Sequence, residues 1–466
     1  MGCAGSRVRE NGLLARKNAA CRQLQSPAQE ATSEVIVNVE TTSRAVTAYG
    51  GAELLRATAR AVGLADAVEA SVTLKRRARG LSEAQFVTGV AESIALGARC
   101  LDDLAVARGD GAQLLLRGFG VPAPQTAGRW LRRFTLGHIC QLNKALAEVQ
   151  RNAYRAAGVA EVTLDFDSTY LFSRSKRREG ADRTYKKGYA LHPLLCFDAE
   201  SGAAVHARLR RGRAGASTGM RTFLTETLRR VPKEVAVRAR FDSGFYGGPL
   251  LTQLETAQVT YLCGVPFNPR IVEAIRTLGG DECWAPCVDK DEGEVAEFGY
   301  RLRDGKRFRR YIVKRIAIEP GQQATLEEGG FRYWVFVTND HHRDAVELES
   351  EHRRKALVEA GMRELKSNYG LGTIRKHGFM ANWAWLLLVC IGHNLCCWTQ
   401  QLGRLAGGRD GADLRAKRLR YRYLVVPALV VRSARKLTIR LPAAYAHLAR
   451  FLAALERLKR IAITPA

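Results

Sequence analysis

Glu161-Val-Thr-Leu-Asp-Phe-Asp-Ser168 is the stretch on which the fold of this chain turns. Upstream, over residues 50–150, apolar side chains recur at helical spacing. Here Val162, Leu164 and Phe166 alternate with Thr163, Asp165 and Asp167, the period of a strand. Further out, residues 189–197 and 203–209 predict two more strands joined by a turn at Glu200-Ser-Gly202. Residues 218–230 then read as a helix, and 235–241 as a strand ending at Asp242-Ser-Gly244. A short helix over 250–256 and a strand over 260–265 follow.

Three strands, helix, strand, helix, strand is the order of an α/β, RNase H-like mixed sheet flanked by helices. The chain divides around it into a poorly ordered leader (1–35), a helical DNA-binding region (36–155) and the first part of the core (156–265). A β-rich insertion (266–340), the second part of the core (341–400) and a basic helical tail (401–466) complete it. In the helical region, Ser82 with Gln85 three residues on is a capping-box signature. Pro122-Ala-Pro124 stops the chain, and Thr126 is expected to cap a longer helix carrying Arg129, Arg132 and Arg133. Short helices with basic faces suit a helix-turn-helix-like DNA reader. A plain bundle with a solvated basic face fits the same periodicity.

Lys plus Arg number 73 against 46 acids, a net charge of +27, in a chain whose 46% hydrophobic content is ordinary for a globular protein. Such a field draws polyanions, nucleic acid before anionic membrane; a GC-rich genome, with its Arg codons, is the bland alternative. The tail is its densest part, with fifteen Lys or Arg against three acids over 401–460. Eleven scattered cysteines and no secretory segment suit a reducing cytoplasm. Cys283 and Cys287 lack the second pair a structural zinc site needs. The apolar run 383–398 is short for a bilayer and reads as a buried helix, so no membrane is expected.

Moving a phosphodiester calls for divalent metal ions that activate the attacking oxygen and stabilise the leaving one. Hard ions want oxygen ligands, so carboxylates must be aimed at one point. The carboxyl ends of neighbouring strands are the natural place. Asp167 and Asp242 each end an apolar strand and precede a small polar residue. Asp165 shares a strand face with Asp167.

Leu164-Asp-Phe-Asp-Ser-Thr169 and Arg240-Phe-Asp-Ser-Gly-Phe245 resemble the first two acidic motifs of the DDE transposases of bacterial insertion sequences. The third motif of that branch spaces Tyr, Arg, Glu and Lys along one helix. His352, Lys355, Glu359 and Lys366 stand at that spacing, a basic stripe beside an acid, with His for Tyr and Lys for Arg as departures. Glu364 is the local competitor, off the stripe. Gly188-Tyr-Ala-Leu-His-Pro193, Leu209-Arg-Arg-Gly-Arg213 and Pro124-Gln-Thr126 are similar to further elements of the family, over roughly residues 45–400.

The resemblance implies catalytic Asp167, Asp242 and Glu359. Two Mg²⁺ ions, with Mn²⁺ as a substitute, are held by those three and by Asp165, with Asp167 favoured over Asp165 as the first acid. Phosphates fall to His352, Lys355 and Lys366, and further DNA contacts to Arg129, Arg132 and Arg133. The implied reaction is cut-and-paste transposition: nicking at terminal inverted repeats, second-strand cleavage and strand transfer into target DNA, by a homodimer or higher oligomer. In related branches a flipped base stacks on an aromatic of the insertion, a role open here to Trp284 or Trp334. Two other readings stay open: an RNase H-like nuclease without strand transfer, and a decayed, non-catalytic DNA-binding protein.

Overall fold

The computed structural model describes residues 37–75, 77, 79–184, 186–287, 293–302, 307–318, 327–328, 330–354, 356–373, 376–405 and 415–461. Residues 45–466 belong to one unit and residues 1–44 to another, whose described part, 37–44, holds neither helix nor strand. The expected leader lies outside the described residues.

Glu161–Ser168 (β1) is the centre of the main sheet. Leu194–Asp198 (β2) pairs with it antiparallel, and Ala204–Arg208 (β3) pairs antiparallel with β2. On the other side Ala236–Phe241 (β4) and Thr260–Val265 (β5) run parallel to it. The order β3-β2-β1-β4-β5 with these directions is the RNase H-like arrangement. Glu294–Arg301 (β6), Phe308–Ala317 (β7) and Phe331–Thr338 (β8) form an antiparallel meander. β8 pairs with β5, so the block expected as an insertion extends the same sheet to ten strands. An open β5 edge would leave a row of backbone groups unpaired, and β8 closes it.

The helices that matter for the site are Glu83–Leu96 (α1), Pro124–Leu131 (α2), Leu136–Ala157 (α3), Met220–Leu228 (α4), Gly248–Thr256 (α5), Ala345–Arg353 (α6), Ala356–Asn368 (α7), Phe379–Gly403 (α8) and Leu448–Arg460 (α9). α4 and α5 cover the face to which Val162, Leu164 and Phe166 point, sharing a core with Phe223, Leu251 and Leu254. The opposite face joins Leu195, Phe197, Ala204 and Ala207 to a second core built from α7, α8, α9 and the N-terminal helices. Residues 52–155 therefore share a core with the C-terminal helices rather than standing apart. α8 has the length and apolarity to cross a membrane, but 89% of its most apolar window is buried inside the protein.

Four local expectations are corrected. Residues 189–197 split into Tyr189–Leu191, which pairs with Leu171–Ser173 in a small separate sheet, and β2. Pro193, without an N–H, sits at the split. The helix with Arg129 begins at Pro124 with Ala123 as its cap, so Thr126 lies inside it, and it ends at Leu131. The tail is not wholly helical: Ala428–Ser433 and Lys436–Arg440 form a hairpin that also pairs with Val46–Thr47. Residues 428–431 are a short apolar run set among Lys and Arg.

The helix expected over 345–367 is two helices, α6 and α7, and Lys355 between them lies outside the described residues. The Glu351 carbonyl accepts from Arg354 N, three residues on, and from Arg240 Nη1 at 2.8 Å. A guanidinium from the sheet thus competes for a carbonyl that would otherwise carry the helix forward.

The Ser82 capping box forms in full: Gln85 N–H donates to Ser82 Oγ at 3.2 Å, and Ser82 N–H donates to Gln85 Oε1 at 3.0 Å. Ser82→Ala should lower stability by about 1 kcal/mol. A urea midpoint unchanged within error would remove the cap from the helix's account.

Candidate active site

β1 and β4 pair in parallel with Asp165 opposite Arg240 and Phe166 opposite Phe241. One step further places Asp167 opposite Asp242, on adjacent strands and on the same face. The register shows in the side chains, since the Phe166 and Phe241 rings stack with centroids 4.6 Å apart. On the far side of Asp242 stands Gly264, one residue beyond the Phe241–Cys263 pair. A Cβ there would lie 2.8 Å from Ser243 N, so glycine leaves the turn after Asp242 its room. Asp167 is half-buried and Asp242 exposed. Two carboxylates at the carboxyl ends of neighbouring parallel strands form a hard-oxygen donor pair that fits a divalent cation.

Asp165 is placed differently from a ligand. It is fully buried, and both its oxygens accept from Arg240, Nε and Nη2 each at 2.6 Å. Arg240 donates from its third nitrogen, Nη1, to the Glu351 carbonyl at 2.8 Å. Asp165 therefore neutralises the residue that ties β4 to the end of α6. The signal was present in the sequence as Asp165-Phe-Asp167 beside Arg240-Phe-Asp242: opposite charges two residues before each outer acid.

α7 lies over the acidic face of the sheet. Gly361 is set against Phe197 of β2, where an added Cβ would stand 3.5 Å from the ring. Lys366 Nζ donates to Thr169 Oγ1 at 2.5 Å, just past the end of β1. Burial lowers the Lys366 pKa, and neighbouring Asp167 pulls it back up. Glu359 lies two turns earlier on α7 and is exposed. Among the described residues no three metal-type ligands gather at one point, so Glu359 is not drawn in beside the two aspartates. Its competitor Glu364 accepts from Ala416 N at 2.6 Å.

His352 departs from the expected stripe. It sits on α6, and its ring stacks on Phe336 of β8 at 5.0 Å and 4°, toward the sheet rather than in line with Glu359 and Lys366. Arg129, Arg132 and Arg133 are exposed at the end of α2. Arg129 and Arg133 line a surface cleft of about 570 Å³ with Lys75, Arg79 and Arg108, floored by the stacked rings of Phe86 and Trp130. Of the two insertion tryptophans, Trp284 carries the Arg315 guanidinium at 4.1 Å, whereas Trp334 is 43% exposed.

Sequence reasoning gave His192 no role of its own. Its Nδ1 lies 2.7 Å from the Ala214 carbonyl and its Nε2 3.0 Å from Ser168 Oγ. With Nδ1–H donating to the carbonyl, the Ser168 hydroxyl donates to Nε2. The Ser168 backbone N–H in turn donates to Asp167 Oδ1 at 2.5 Å. His192 thus holds the turn that aims Asp167; burial lowers its pKa, and nearby Arg210 lowers it further.

No curated protein matches the chain. Among solved structures it is similar to the piggyBac transposase of a cryo-EM synaptic complex with hairpin DNA, at 13% identity and a TM-score of 0.41, over 82% of this chain and 81% of that one. The family model described as Transposase DDE domain group 1 matches residues 29–463. Nearly the whole chain is spanned by that match, and the protein belongs to the DDE transposase family.

Proposed function

We propose that this transposase cuts and rejoins DNA with Asp167 and Asp242 as the fixed half of its metal site and Glu359 as the third carboxylate. The register that sets Asp167 opposite Asp242 carries the reading. DDE transposases generally use divalent metal ions; two Mg²⁺ are the ions proposed here, with Mn²⁺ as a substitute. When bound, such ions supply activation of the attacking oxygen and charge stabilisation at the leaving oxygen. The protein's own part is positional. Gly264 and the Ser168–His192 bond fix the turns that aim the two aspartates, and the Lys366–Thr169 bond ties α7, the helix that carries Glu359, to the end of β1.

The substrate is double-stranded DNA: the terminal inverted repeats of an insertion sequence, and then target DNA. The exposed cations of the cleft at Arg129 and Arg133, with Arg132 beside it, take its phosphates. The transposition complex is a homodimer or larger, acting in the cytoplasm. The test is the full-length protein with duplex oligonucleotides of the native element ends, Mg²⁺ and a plasmid target. Nicked ends and joined product are expected, with binding that weakens steeply as salt rises. Cleavage with no joined product would leave a nuclease, and binding without cleavage would leave a DNA-binding protein.

A further inference from the structure

The chain leaving the active site carries a line of aromatic rings. His192, bonded to Ser168 beside Asp167, is stacked under Tyr170 at 4.1 Å and 22°. Tyr170 in turn stands 6.1 Å from Phe172, which is 52% exposed. Phe172 belongs to a small three-stranded sheet of Leu171–Ser173, Tyr189–Leu191 and Asp182–Arg183, formed by the excursion between β1 and β2. The ring lies so close over Gly188 that an added Cβ would come within 2.8 Å of it. Backbone pairing of Phe172 with Ala190 holds the ring from below.

Single exposed apolar residues are ordinary, but this one is supported on its inner side and open on its outer side. Its setting is also strongly basic: residues 171–191 hold seven Lys or Arg against two acids. Lys366, bonded to Thr169 at 2.5 Å, brings a cation to the Asp167 end of the site. A flat ring backed by other rings and flanked by cations is the recognition chemistry of an unpaired nucleotide, with base on ring and phosphate on ammonium.

We infer that Phe172 is the stacking platform for a DNA base unpaired next to the scissile phosphate, with Tyr170 and His192 as its backing and Lys366 as its phosphate contact. This rests on the DNA-cleaving reading of the site. It moves base capture from the tryptophans of residues 266–340 to the excursion that follows the first acid. An unstacked base must find a flat partner to offset the lost stacking, and Phe172 stands three residues along the chain from Thr169, which is bonded to Lys366 at the end of β1.

The test is single-turnover, Mg²⁺-dependent cleavage by the full-length protein on duplex element ends. An abasic nucleotide is placed in turn at each position flanking the cut. Phe172→Ala should slow cleavage of the normal end about 5- to 150-fold, the range that loss of one base–aromatic stack implies. Phe172→Tyr should stay within a few-fold of wild type. One abasic position should erase the difference between wild type and Phe172→Ala, because there is no base left to stack. Wild-type rates from Phe172→Ala, a defect equal at every abasic position, or that pattern from Trp334→Ala instead would each overturn the inference. Failure of the wild-type protein to cleave any end would overturn the underlying reading itself, and is distinguishable from all three.

Discussion

Asp167→Asn and Asp242→Asn should each lower Mg²⁺-dependent cleavage of element ends by more than about a thousandfold, because metal ions contribute several kcal/mol of transition-state stabilisation and each 1.36 kcal/mol is tenfold in rate. Binding of the same ends should survive. Asp167 is half-buried and Asp242 exposed, so an isosteric amide leaves neither a cavity nor an unpaired buried charge. Removing a negative charge near Lys366 also does nothing to weaken attraction for phosphate. The two variants should therefore melt like wild type and bind DNA as well or slightly better. Glu359→Gln belongs in the same experiment, since an exposed side chain on α7 gives it no structural burden. Retention of cleavage within tenfold of wild type by Asp167→Asn or Asp242→Asn, with folding intact, would remove that residue from the metal site. Equal loss of DNA binding would instead make the acids part of the DNA-binding scaffold.

Much of this site could be read from local pattern. Alternation at 161–168 and the extended pattern of 235–241 that runs into Asp242 are properties of a few neighbouring residues, and they located both strands. What local pattern could not supply was anything settled by a distant partner. Two acids on one strand face look alike until Arg240, 75 positions away, is seen to occupy both oxygens of Asp165. The break between α6 and α7 depends on that same guanidinium reaching Glu351 O. Helical spacing through 352–366 is unbroken in sequence, so His352 looked aligned with Glu359 when its ring rests on Phe336. The β6–β8 block was recognisable as strands, but pairing of β8 with β5 is a choice of sheet edge that no strand announces by itself. Charge density misled in the tail, where the hairpin's few β-branched residues were outnumbered by Lys and Arg.

Arg240→Leu should be the most destabilising single change near the site, lowering the unfolding free energy by about 3–5 kcal/mol, because it leaves the fully buried Asp165 carboxylate without its partner. The guanidinium also satisfies the Glu351 carbonyl, so the same change frees the end of α6 and the start of the helix that carries Glu359. Asp165→Asn keeps one acceptor for Arg240 but turns an amide N–H toward its second donor and removes the counter-charge of a buried guanidinium, so it should destabilise as well. The pair is better judged by its cycle than by either single change. Asp165→Leu with Arg240→Leu should be more stable than Arg240→Leu alone, since a buried pair replaced by apolar groups avoids an orphaned charge. Urea unfolding of wild type, Asp165→Leu, Arg240→Leu and the double variant closes the cycle and gives the coupling. Cleavage then separates structure from chemistry. Asp165→Asn, acting through Arg240 and the placement of α7, should slow cleavage only about 10–100-fold, the scale expected when a ligand's supporting partner is lost. Asp167→Asn should silence it. If the double variant is less stable than Arg240→Leu, the pair holds the fold by something other than its buried charge. If Asp165→Asn is silent and Asp167→Asn stays active, the two acids have exchanged roles, and the strand must meet its metal two residues earlier, at the Asp165–Arg240 pair.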